Sequence, residues 1–154
     1  MTDTWAVIDA AFMLLCASMY LGTGWSLVLF SFPIAPRLTP ENYALPFVEP
    51  VTNATRFFTW MTTLMMAAAV ALIVAEWSTG YVWVPIVYLA AAVAATGLTI
   101  KFVFPYNREM KAGITDPGRL RRTLGRWMRL NVLRVLLWTV EWVVITLYFA
   151  LKVA

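Results

Sequence analysis

The chain has 154 residues, 62% of them hydrophobic and 13% charged, with a formal net charge of +4 at pH 7. Histidine is absent and Cys16 is the one cysteine, which excludes an intrachain disulfide and His-ligated haem, zinc or copper sites. A soluble domain is excluded as well, because apolar runs of about twenty residues recur four times, the pattern of membrane spans.

The first predicted span runs from about Ala10 to Phe32 and ends at Pro33 and Pro36. No basic stretch precedes it, so it reads as a retained span and not a cleaved signal peptide. The second covers about Phe57 to Trp77, with Pro50 suited to the first turn of a helix that starts outside the bilayer core. Ser78-Thr79-Gly80 makes a tight turn into the third, from about Tyr81 to Phe104, which again stops at a proline. Asp116-Pro117 is a helix start, a capping carboxylate followed by proline at the first helical position. From there a helical pattern reaches Lys152, roughly 54 Å at 1.5 Å per residue, so its first turns should project from a core of about 30 Å.

Charge sets the expected orientation. Arg108, Lys111, Arg119, Arg121, Arg122, Arg126 and Arg129 fall in the third loop and the start of the fourth helix, and Arg37 and Arg56 in the first loop. Asp3, Asp9, Glu76 and Lys152 fall on the other side. The positive-inside rule then makes loops 33–56 and 105–130 cytoplasmic and both termini external, in a multi-pass protein of the plasma (inner) membrane. The basic run from Arg119 to Arg129 reads as a surface for anionic lipid headgroups, or for an acidic protein partner, and not as a nucleic-acid face.

One pattern occurs twice. Phe30-Ser31-Phe32-Pro33 precedes Asn53-x-x-Arg56-x-x-x-Trp60, and Phe102-Val103-Phe104-Pro105 precedes Asn131-x-x-Arg134-x-x-x-Trp138. The expected fold is an all-α integral membrane four-helix bundle of two tandem, parallel-repeat helix hairpins. It forms a single membrane domain over 1–154, with repeat one at about 5–78 and repeat two at about 79–154. The two copies should then face each other at the cytoplasmic edge across a pseudo-twofold axis along the membrane normal.

Polar groups at membrane depth are costly, so a repeated set suggests a site. On the last helix Trp127, Asn131, Arg134, Trp138 and Glu141 fall on one stripe about 80° wide. On the second, Asn53, Arg56, Trp60 and Thr63 repeat the Asn131–Glu141 spacing. Snorkelling to phosphates is one account of Lys101, Arg56 and Arg134, but it does not require an Asn three residues before each arginine and a Trp four after. Counting inward puts Glu141 near mid-membrane, at the depth of Thr23, Thr63 and Thr96. Two roles suit it: a carboxyl protonated or held by those hydroxyls in a polar pocket, or a structural hydrogen bond between helices. Gly22, Gly24 and the alanine runs 67–69 and 90–95 read as close helix packing, and Met61, Met65 and Met66 as packing and not metal binding. Trp77, Tyr81 and Trp83 read as an interfacial aromatic belt.

The segment from Phe102 to Trp142 resembles the C-terminal half of the anthrone-oxygenase-like family of small four-helix bacterial membrane proteins. The resemblance rests on a span ending near Pro105 and Asn107, a polar loop, and then Arg126-Trp127-x-x-x-Asn131-x-x-Arg134. The first half fits more loosely, through the Pro33–Arg37 loop and the Asn53 helix. The resemblance implies oxygenation of an anthrone-like aromatic with neither metal nor flavin. On that reading Glu141 is the base, Arg134 or Arg56 stabilises the enolate, the asparagines orient it, and Trp60 and Trp138 stack on its rings. The absence of histidine, the usual base near neutral pH, departs from a convincing oxygenase.

Three classes of function therefore stand. The first is binding of a hydrophobic aromatic, quinone-like or lipid ligand, or an accessory role in a larger membrane complex. The second is a cofactor-independent oxygenase. The third, ranked last because four spans give a thin pathway, is a proton or anion transporter acting as a homo-oligomer. The expected site is Glu141 and Arg134 for chemistry, with Asn53, Arg56, Trp60, Thr63, Asn131 and Trp138 for ligand binding. No metal and no cofactor is expected.

Overall fold

The computed structural model describes residues 4–153, so Asp3 lies outside the described residues. The first span is α1 (Thr4–Ser26), a π-helical turn (Leu27–Ser31) and a 3-10 turn (Phe32–Arg37). A short α2 (Ala44–Phe47) leads into α3 (Glu49–Ala75). The third span is α4 (Trp83–Leu98), a second π-helical turn (Thr99–Val103) and α5 (Phe104–Ala112). The last is α6 (Pro117–Val153). All four spans are long and apolar enough to cross a membrane, and the chain is an all-α membrane bundle.

The helices do not stop at the F-x-F-P prolines, as the sequence alone suggests, but pass through them. Pro33 and Pro105 have no N–H to give the carbonyl four residues back, and their rings crowd it. Each helix responds by widening one turn: Phe32 N–H bonds Leu27 O, and Phe104 N–H bonds Thr99 O, both i→i−5. Each π turn ends two residues before its proline. Beyond that point the two spans diverge. The first chain tightens into a 3-10 turn and leaves helical geometry at Leu38, just after Pro36. The other tolerates Pro105 in a first helical turn and continues to Ala112. It ends at Gly113, whose φ of 92° suits glycine.

Neighbouring helices run antiparallel in the ring order α1, α3, α4, α6, which places α1 opposite α4 and α3 opposite α6. The interior faces are rich in alanine, with Ala10, Ala17, Ala69, Ala92 and Ala95 buried, so the backbones come close. Tyr88 Oη in α4 even donates to Met13 O of α1 across the diagonal, at 3.1 Å. α1 approaches α6 closely at Gly24, where a Cβ would lie 2.7 Å from Val135 Cγ2 and 2.9 Å from Trp138 Cε3. Val135 is β-branched and the indole is rigid, so neither can yield cheaply. Gly24→Ala is therefore expected to destabilise the bundle by about 1–3 kcal/mol, read as a lower melting temperature in detergent.

A second core closes the end of the bundle that carries loops 38–48 and 113–116, called here the loop end. Phe47 and Trp127 meet edge to face at 5.5 Å, with Tyr43, Met110, Ile114 and Leu120 around them. Tyr43 Oη staples it by donating to Met110 O at 2.7 Å and accepting from Ile114 N–H at 2.8 Å. At the start of α6, Asp116 caps the Arg119 N–H and Pro117 opens the helix, as its sequence predicts.

Candidate functional site

The polar stripe of α6 faces the interior. Trp127, Asn131, Trp138 and Glu141 are all buried, Asn131 and Glu141 to 0% exposure. Trp127 Nε1 donates to Asn107 Oδ1 at 2.7 Å, and Asn131 Nδ2 donates to Trp127 O at 2.8 Å. This lower part of the stripe ties α5 to α6 and brings together Asn107 and Trp127. It is a structural clamp with one acceptor left over, since Asn131 Oδ1 has no partner.

Higher on the stripe the polar groups are not satisfied. The Arg134 guanidinium lies 4.6 Å over the Trp138 ring, and its Nη1 reaches Thr99 Oγ1 only at 3.5 Å. Thr99 opens the π turn Thr99–Val103, which packs against α6. Arg134 Nε is buried without a partner. Trp138 also packs against Tyr20 of α1, with ring centroids 4.6 Å apart. Tyr20 Oη in turn bonds Phe58 O (2.9 Å) and Thr62 Oγ1, tying α1 to α3. About 10 Å further along α6 lies Glu141, with neither carboxylate oxygen hydrogen-bonded. It forms no ion pair with Arg134; among the described residues the ion pairs are Glu76–Lys152 and Glu109–Arg119.

The expected threonine pocket does not form. Thr23 and Thr63 are exposed and spend their hydroxyls on Met19 O (2.6 Å) and Thr59 O (3.0 Å) of their own helices. A helical threonine finds the carbonyl four residues back more cheaply than a partner across the bundle. Thr96 makes no bond to Glu141 either.

Nor are the two copies of the motif brought together. Asn53, Arg56 and Thr63 are exposed, and Trp60 is 64% exposed, all on the outer face of α3. The cause is register. The apolar row that α3 buries, Met61, Met65, Ala68 and Leu72, starts one residue after Trp60 and so takes the inward face from the motif. One residue is about 100° of helix rotation, enough to turn an inward stripe outward. The sequence pattern is duplicated; its environment is not.

Two features escape the motif reading. Tyr20 and Tyr88 are buried bridges between helices, and the one available signal is a phenol placed inside an apolar run. At the end of the bundle opposite the loops, Glu76 is 1% exposed and accepts from Tyr148 Oη (2.6 Å), Thr79 Oγ1 (2.6 Å) and Lys152 Nζ. Burial alone would raise its carboxyl, but the bonds from Lys152, Thr79 and Tyr148 outweigh it and hold Glu76 below the ordinary carboxylate range. The basic residues gather at the loop end, where Arg37, Arg108, Lys111 and the arginines of α6 from 119 to 129 are all exposed.

Fold and site together define a four-helix membrane bundle with an unsatisfied polar stripe inside its longest helix. No family model, curated protein or solved structure matches this chain.

Proposed function

We propose that the protein binds a hydrophobic aromatic ligand of quinone or hydroquinone type inside the bundle, along the Arg134–Glu141 stretch of α6. The observation that carries this reading is Glu141, a fully buried carboxylate with both oxygens unpartnered, on the stripe where Arg134 Nε is also free. Buried polar groups are ordinarily hydrogen-bonded, and each one left open costs about 1–3 kcal/mol. A ligand with a hydroxyl at one edge and a carbonyl at the other supplies a donor for Glu141 and an acceptor for Arg134. The seven residues between them rise about 10 Å, the length of a two- or three-ring aromatic, and Trp138 between them, packed against Arg134 and Tyr20, offers a ring face once the helices part. The hollows at the loop end are not lined by Glu141 or Arg134, so entry along this stretch requires the helices to part.

The ligand-binding role is assigned to Arg134, Trp138 and Glu141, while the outward row Asn53, Arg56, Trp60 and Thr63 makes α3 the side for a partner subunit or a second copy. The charge asymmetry supports an orientation with the loop end cytoplasmic, and the matched π turns support a duplicated hairpin. The Glu141–Arg134 pair also favours a second reading, oxygenation of an anthrone-like aromatic, with Glu141 as base and Arg134 holding the enolate.

Purification in mild detergent followed by mass spectrometry of retained small molecules tests the first reading. An aromatic or quinone ligand is expected, reduced about tenfold or more by Arg134→Ala and Glu141→Gln but retained by Trp60→Ala. Recovery of bulk phospholipid alone, unchanged in both core variants, would sink it. Oxygen uptake on addition of an anthrone, lost in Glu141→Gln, would select the second.

A further inference from the structure

We infer that the loop end holds a specific site for one anionic glycerophospholipid, separate from the core stripe. An open groove of about 500 Å3 lies between the end of the first span and the first turns of α6, lined by Phe32, Ala35, Pro36, Arg121, Leu124 and Met128. Its origin is the divergence after the two π turns. The first span ends at Arg37, four residues past Pro33, whereas the third continues to Ala112, seven past Pro105. α6 is thus left without a full-length helix beside it on the first-span side.

The groove has two chemistries in sequence along one helix face. Arg121, Leu124 and Met128 are spaced i, i+3 and i+7, so the cation stands at one end of an apolar trough. Phe32 and Pro36 form the facing wall. Arg121 is exposed and has no ion-pair partner among the described residues. The trough lies where the first of the membrane-crossing helices ends and α6 runs on past it, so a lipid seated there stands partly drawn out of the hydrocarbon core. An acyl chain fits against Phe32, Leu124 and Met128, and its phosphate reaches Arg121 through a charge-assisted hydrogen bond. A guanidinium at the rim makes the complement anionic, which selects phosphatidylglycerol-type lipids over zwitterionic ones.

The purified chain in neutral detergent is titrated with dioleoylphosphatidylglycerol, dioleoylphosphatidylcholine or glycerol 3-phosphate, and retained adducts are counted by native mass spectrometry. One phosphatidylglycerol per chain should survive at energies that strip phosphatidylcholine. Arg121→Gln, an exposed change that leaves the core intact, and Met128→Trp, which fills the trough, should each cut retention about tenfold. Arg126→Gln removes the same charge from outside the groove and should leave retention unchanged. Equal loss in Arg126→Gln would reduce the effect to a diffuse basic surface and overturn the site. Unchanged retention in Met128→Trp, or equal retention of the two lipids or of glycerol 3-phosphate, would overturn it too.

Discussion

Glu141→Met is expected to raise the thermal stability of the bundle while it abolishes retention of the core ligand. The two side chains are similar in volume, so the exchange leaves little cavity and adds little strain. What changes is polarity: two buried oxygens without partners are replaced by an apolar chain that the alanine-rich interior accepts. Removing an unsatisfied polar group recovers about 1–3 kcal/mol, which for a chain of this size is several degrees in melting temperature. The same variant lacks the acceptor that the proposed hydroxyl needs, so stability and binding should move in opposite directions. Functional sites commonly carry such a penalty, and the sign makes the test decisive. A fall of several degrees would mean that the carboxylate holds the helices together as a structural bond, and a neutral result would mean that it rests in water.

The large features of this fold follow from local chemistry that a sequence displays. Apolar runs give the spans, Asp116-Pro117 marks the start of α6, and the arginines mark one end. The F-x-F-P motifs were legible as interruptions, but not their form. A proline says that a hydrogen bond is missing, not whether the helix ends or widens by one residue, and here both helices widen. The candidate site divides in the same way. The α6 stripe from Trp127 to Glu141 is inward because its polar and aromatic residues share a face with Val135, Ile145 and Tyr148. The matching residues of α3 compete with the row Phe58, Met61, Met65 and Leu72, and burial of that row decides the rotation. A motif fixes spacing along a helix; only the apolar row fixes its azimuth. The threonine pocket failed for a related reason, since equal depth on four helices does not give equal facing. Glu76 and Lys152, 76 residues apart, share no local pattern at all.

That last pair carries the second large effect. Lys152→Met is expected to destabilise the bundle by about 3 kcal/mol, because it strips the counter-charge from a carboxylate that is almost fully enclosed. Tyr148 and Thr79 remain as donors but bring no charge. Glu76→Gln should cost less, since an amide keeps an acceptor for Tyr148, and the double variant should cost less than the sum of the two. The pH dependence has a definite sign. Folding lowers the Glu76 pKa, so its stabilising contribution is complete above the ordinary carboxylate range and is lost as the pH falls through the lower folded value. The melting temperature of the native chain, taken relative to Glu76→Gln, should therefore be level from neutral pH down to about 5 and decline below about 4. In Lys152→Met the largest opposition to burial is gone, and the decline should begin at higher pH. Identical profiles for the native chain and Glu76→Gln across the acid range would show that this latch does not hold α3 to α6.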